Sequence, residues 1–211
     1  GSNLVMVVPG KRMGPGQSSG AAPFKLADAE AIAREIPSLQ AVAPAASSGM
    51  TAIYANENWS TAVTGSTEQY FTVSNRQIGE GRAFTQTEAR TGIAVCVIGE
   101  TVRGKLFGAQ SPIGCKIRLK KLSCEVVGLL QSKGQSTMGT DQDDIIVVPL
   151  RTFQRRIAGN EDVSIIQVSV MDGVSTDMVK TELGQLMRVR RHLSATEDDN
   201  FNVMDLKEIS T

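Results

Sequence analysis

The sequence predicts an α+β chain in which a small sheet-and-helix unit is interrupted by a long insert. Three observations carry this. The outer segments each read strand–helix–strand, the middle segment holds short strands and helices of its own, and no apolar run approaches the roughly 18 residues that span a bilayer. Two strand–helix–strand halves make the split βαβ, ferredoxin-like order. A chain of 211 residues can fill such a unit and a smaller mixed α/β subdomain besides. The predicted division is residues 1–74 with 161–211 for the discontinuous outer subdomain, and 75–160 for the insert.

Asn3–Val8 (NLVMVV) reads as a short buried strand closed by Pro9-Gly10, and the Gly, Pro and Ser of residues 10–23 read as a loop. Leu26, Ala29, Ile32, Ala33 and Ile36 recur at helical spacing until Pro37 stops the helix. Ala41–Ser47, Met50–Ala55 and Trp59–Gly65 are strand candidates, with a turn at Asn56-Glu57-Asn58 between the last two. The insert holds strand Ile93–Ile98, helix Glu100–Phe107, a hairpin over 115–130, strand Ile145–Pro149 and helix Arg151–Ala158. Val163–Val170 is a strand, residues 175–193 a helix with Val179, Leu183, Leu186 and Leu193 on one face, and Phe201–Leu206 a closing strand. In this order the first strand starts and the last ends at the same edge of the sheet.

Composition excludes several functions. Lys+Arg 22 against Asp+Glu 22 leaves no broad basic field for nucleic acid or anionic lipid. One Trp, two Tyr and six Phe are too few for base-stacking platforms. Gly1-Ser2 reads as a remnant of expression with no signal peptide behind it, so the chain reads as an excised piece.

Enzyme-like patterns are present but lack their context. Gly16-Gln17-Ser18-Ser19-Gly20 matches G-x-S-x-G, with the only histidine, His192, downstream. A nucleophile elbow sits directly between a strand and a helix, whereas Ser18 lies well past Val8 between Pro15 and Pro23. Gly14, Gly16 and Gly20 are spaced one residue too long for a dinucleotide fingerprint, and no G-x-x-x-x-G-K-[ST] exists. His192 falls among Arg188, Arg190 and Arg191 in the last helical turn, where cations complement the negative helix end. Asp141-x-Asp143-Asp144 lacks the glycine and distal glutamate of a calcium loop. The expectation is a non-catalytic domain with no catalytic residue, cofactor or metal of its own.

The most informative stretch is Val126–Leu150, VVGLLQSKGQSTMGTDQDDIIVVPL. A strand leaves a core, a polar, Gly-punctuated loop follows, and a second strand returns and stops at Pro149. Long loops of this kind are uncommon in compact domains and are usually functional. The run accompanies V-x-P-G-K-R after the first strand, A-D-A-E-A-I, A-V-A-P, N-W-S-T-x-V-T-G-S-T, G-E-G-R-A-F-T and V-I-G-E-T-V-R-x-x-L-F-G, in that order. Together these resemble the extracytoplasmic core domain of MacB-type, FtsX-like ABC transporter permeases.

The resemblance implies that the ferredoxin-like half is a porter subdomain and the insert a sabre subdomain. It also implies a periplasmic domain between the first two membrane helices of a permease. That permease would be a homodimer, working with an ABC ATPase that uses ATP and Mg, a periplasmic adaptor and an outer-membrane duct. The function so implied is mechanotransmission for macrolide- or peptide-type efflux. The alternative is the outer domain of a related permease for lipoprotein extraction or cell-wall hydrolase regulation. A secreted serine hydrolase using Ser18 is the less favoured reading. The isolated domain is expected to be a monomer, because its apolar helix faces are consumed by its own core. Adaptor docking is expected at the 131–144 loop, through Gln135, Met138, Asp141, Asp143 and Asp144.

The cysteines complete the reading. With the hairpin turn at Lys120-Lys121, Cys124 lies opposite Ile117 and Cys115 opposite Val126. Cys115 and Cys124 are then diagonal neighbours, poorly placed to bridge. Cys96 sits in the apolar run IAVCVI, and three free, buried thiols are expected.

Overall fold

The computed structural model describes residues 3–10 and 21–205. Gly1-Ser2, Ser18 with its G-x-S-x-G pattern, Gly14, Gly16, Gly20 and Leu206 lie outside the described residues. In chain order the elements are β1 (Leu4–Pro9), α1 (Leu26–Glu35), β2 (Leu39–Tyr54), β3 (Glu57–Ser66), α2 (Gln69–Val73) and β4 (Ile78–Gly81). There follow α3 (Gln86–Thr91), β5 (Val95–Ile98), α4 (Glu100–Phe107), β6 (Lys116–Leu119), β7 (Leu122–Leu130) and β8 (Ile145–Pro149). The last are α5 (Leu150–Phe153), continued by a π-helical turn at Gln154–Ala158, then β9 (Ile165–Val170), α6 (Thr176–Arg190) and β10 (Phe201–Asp205).

The chain divides into two compact units, Gly1–Pro44 with Asp162–Thr211, and Ala45–Glu161. In the first unit the strand order is β10-β1-β9-β2, with β1 antiparallel to both neighbours. Val5 pairs with Asp205, so the start of β1 lies beside the end of β10. Val5, Val7, Ile166, Val168 and Phe201 from the strands are buried with Ala29 and Ile32 of α1. The buried stripe of α6 is Val179, Leu183 and Met187. Leu186, expected on that stripe, is half-buried, because the i, i+4, i+8 row passes through Met187.

Helix α6 stops at Arg190, two residues short of the only histidine. His192 takes a left-handed φ of 56°, and the N–H groups of His192 and Leu193 donate to the carbonyls of Val189 and Arg188. This is a Schellman-type helix end, so His192 is an exposed residue just past the helix and not part of its last turn.

The second unit begins earlier than the order of the predicted elements suggests. Residues 39–54 form one continuous strand, not two, and Ala55 lies in the turn that follows. Ser48 and Gly49 keep their partners Val63 and Ala62 in the β2–β3 ladder, so nothing interrupts pairing there. The second half of β2 then pairs with β6 as well, through Ala52↔Leu119 and Ile53↔Arg118. This draws the β2–β3 hairpin into the second unit and sets the division at Pro44/Ala45, not at 74/75.

The pairing in this unit closes on itself. β2 pairs β3, β3 runs parallel to β8, β8 pairs β5, β5 runs parallel to β7, β7 pairs β6, and β6 returns to β2. A closed ladder leaves its member strands no open edge and forces alternate side chains inward. The inward set includes Ala52, Val63, Cys96, Ile98, Ile117, Leu119, Leu122, Cys124, Val126, Ile146 and Val148. Val102, Leu106 and Phe107 of α4 join the same core.

Three short elements escape the periodicity: α2, β4 and α3. For α3 a local signal exists in Thr85-x-x-Glu88. The Thr85 hydroxyl accepts from the Glu88 N–H at 3.1 Å and Glu88 accepts from the Thr85 N–H at 2.9 Å, a capping box.

Candidate docking loop

Residues 131–144 leave the barrel at the end of β7 and return at the start of β8. Their base is held from both sides. Gln131 N–H donates to the Gln77 carbonyl at 2.8 Å, and Gln142 N–H to the Gly134 carbonyl at 3.0 Å. Gln135 and Asp141 form a β-bridge. Beyond them Ser136–Thr140 make a tight tip, with Ser136 N–H on the Thr140 carbonyl and Gly139 N–H on the Ser136 carbonyl. Gly139 has φ 81°, which a side chain would strain.

The base is organised around Asp143, which is 5% exposed. Its carboxylate accepts from the Ser132 hydroxyl at 2.7 Å, the Lys133 N–H at 2.8 Å and the Gly134 N–H at 2.9 Å. The buried guanidinium of Arg76 lies 3.9 Å away and donates to the Gln142 carbonyl at 2.9 Å. Burial alone would push the Asp143 carboxyl up, but those three donors and Arg76 together hold it below the usual carboxylate range. Lys133 donates to the Ser74 carbonyl at 2.6 Å, and burial and then Arg76 lower its pKa against the pull of Asp143.

The other two acidic residues are also engaged. Asp141 accepts from the Thr101 hydroxyl at 2.7 Å and from the Asp143 N–H at 2.9 Å. Asp144 accepts from Trp59 Nε1 at 2.9 Å and the Thr61 hydroxyl at 2.6 Å. Gly99 is required here: a Cβ at this position would lie 2.2 Å from the Asp143 carbonyl oxygen. Three sequence motifs thus meet at one loop base: N-W-S-T through Trp59 and Thr61, V-I-G-E-T through Gly99 and Thr101, and D-Q-D-D itself.

The five residues expected to dock a partner therefore fall into two groups. Asp143 is buried, and Asp141 and Asp144 are tied to neighbouring elements, so all three shape the loop. Gln135 and Met138 face outward, with Met138 65% exposed. Sequence reasoning missed Arg76, Ser132 and Lys133, because only the fold brings residues 74–76 beside 131–143.

A family model described as the MacB-like periplasmic core domain matches residues 1–186. The chain belongs to the MacB-like periplasmic core domain family. It is therefore a periplasmic domain of the kind ABC transporter permeases carry. It is 34% identical over 99% of its length to the macrolide export ATP-binding/permease protein MacB of Chlorobium luteolum, and 33% identical over 99% to that of Bdellovibrio bacteriovorus. The chain spans about a third of the length of these curated relatives.

Solved structures agree on the fold. The periplasmic region of MacB from Actinobacillus actinomycetemcomitans superimposes with a TM-score of 0.84 at 22% identity, covering 100% of this chain and 92% of that one. The extracellular domain of the noncanonic ABC-type transporter YknZ from Gram-positive bacteria gives 0.77 at 20% identity, covering 96% and 100%. The sequence predicts an α+β chain, and the fold observed mixes helices and strands in the manner of the MacB periplasmic region. Among the described residues no helix is long and apolar enough to cross a membrane.

Proposed function

We propose that this domain is the non-catalytic outer part of an export permease, transmitting ATP-driven movement of the membrane helices to a periplasmic adaptor and outer-membrane duct. The observation that carries the reading is the contrast within the 131–144 loop. A base over-determined by Asp143, Asp141 and Asp144 supports two outward side chains, Gln135 at the bridge and Met138 at the tip, which have adaptable contacts to offer. A contact surface that must survive repeated cycles is served by rigid support under a yielding tip.

The first unit, with order β10-β1-β9-β2 and helices α1 and α6, fits the porter subdomain of ferredoxin-like type, and the barrel unit fits the sabre subdomain. The start of β1 beside the end of β10 suits a domain hung on two successive membrane helices. ATP and Mg belong to the ABC ATPase, no cofactor is assigned to this domain, and the homodimer is formed by the full-length transporter while the domain alone is monomeric. Macrolide or peptide export is the activity taken from the relatives.

The test is the double variant Gln135→Ala, Met138→Ala in the full transporter. Adaptor affinity falling tenfold or more, with unchanged folding, supports docking at the tip. Wild-type adaptor affinity and wild-type export would remove the tip from the mechanism.

A further inference from the structure

The closed ladder of the second unit brings together two thiols that are 28 residues apart in the chain. Cys96 on β5 and Cys124 on β7 both point into the barrel, both are 0% exposed, and the Cys124 Sγ–H donates to Cys96 Sγ at 3.0 Å. The strands are parallel neighbours, with Cys96 level with Val126, so Cys124 lies two positions along on the same inward face. The two sulfurs are in contact but unbridged in this structure. A disulfide needs the sulfurs about 2.05 Å apart, so roughly 1 Å of approach remains. Cys115 is placed differently. It is half-buried and accepts a hydrogen bond from the Tyr54 hydroxyl at 3.7 Å.

We propose that Cys96 and Cys124 are joined as a disulfide in the exported domain, leaving Cys115 as the free thiol. The proposal rests on the periplasmic location of the family and not on adaptor docking. The oxidant is the disulfide of a thiol–disulfide oxidoreductase, as expected of an oxidising compartment. One cysteine thiolate attacks that disulfide, forming a mixed disulfide and releasing one thiol of the oxidant. The second cysteine thiolate then displaces the oxidant's other sulfur. Two electrons and two protons leave the pair, and the oxidant ends as a dithiol.

Timing follows from burial. A thiol sealed inside the barrel cannot meet an external disulfide, and burial, with the Cys124 hydrogen bond, pushes the Cys96 thiol well up, away from the reactive thiolate. Oxidation therefore belongs to the stage before β5 and β7 pair. Once the ladder closes, the same burial protects the bond from reduction. The link spans the helix α4 and hairpin between these strands and removes freedom from the unfolded chain.

The full chain is produced with export to the periplasm and, in parallel, in a reducing cytosol. Each sample is denatured in guanidinium with excess maleimide and no reductant, and alkylated thiols are counted by mass. The exported chain is expected to carry one maleimide, on Cys115, and to yield a peptide linking Cys96 to Cys124. Three maleimides on the exported chain, or a link through Cys115, would overturn the proposal. A second readout is thermal. Reductant should lower the exported chain's melting temperature by on the order of 5–10 °C. Cys96→Ala and Cys124→Ala, which keep a small apolar side chain in the barrel, should melt equally with and without it. A wild-type exported chain indifferent to reductant under unfolding conditions would equally overturn the link.

Discussion

The base and the tip of the 131–144 loop share one stretch of polar sequence and have opposite physical characters. At the base Asp143 is buried, with three hydrogen-bond donors on its carboxylate and Arg76 beside it. At the tip Met138 is 65% exposed, and the backbone turns on Ser136 and Gly139. The acidic residues that look most suited to meeting a partner are the ones the domain uses to hold its own shape. Charge in a loop is evidence of recognition only where the charge is left without internal partners.

The largest effect is expected at the base. Asp143→Ala would leave the Ser132, Lys133 and Gly134 donors without their acceptor, and the Arg76 guanidinium without its counter-charge, in a buried site. The expected loss is about 3 kcal/mol of unfolding free energy, read from urea titration of the domain. A change below about 0.5 kcal/mol would mean the base is not held by this carboxylate.

The acid limb of the stability profile offers a milder test of the same residue. The folded pKa of Asp143 lies below its ordinary value of 3.8, so the unfolded chain takes up the proton first as pH falls. Its stabilisation is fully present above the unfolded value and is lost as pH drops from there through the folded one. Melting temperatures between pH 6 and pH 3 should therefore fall more steeply in wild type than in Asp143→Asn. Parallel curves would refute the assignment.

The smallest effect belongs to the tip. Met138→Ala should change stability by less than about 0.5 kcal/mol, since an exposed side chain removes little area from water. A larger loss in the isolated domain would show that Met138 supports the fold, and the contrast between tip and base would fail.

Much of this was legible in the sequence, for local reasons. β1, α1 and α4 appear where periodicity and Pro37 place them. The β6–β7 register is the predicted one, with Cys124 opposite Ile117 and Lys120 in the left-handed turn, because alternation over a short hairpin leaves a single way to bury one face. The loop itself was visible as a polar break between two apolar strands. Its internal division was not. Asp141, Asp143 and Asp144 look alike in sequence, and their different partners come from residues 59–61, 76 and 101.

Side-chain alternation and helical spacing act over a few residues, so the local elements and the face each strand turns inward follow from the chain alone. Tertiary structure alone decided that β2 runs unbroken through Gly49, that β6 closes the ladder onto it, and that Cys96 meets Cys124 inside. It also buried Asp143 beside Arg76. Each of these depends on pairing between segments distant in sequence, where the choice is made by the ring of hydrogen bonds and the core it encloses, and no short window of residues contains both partners.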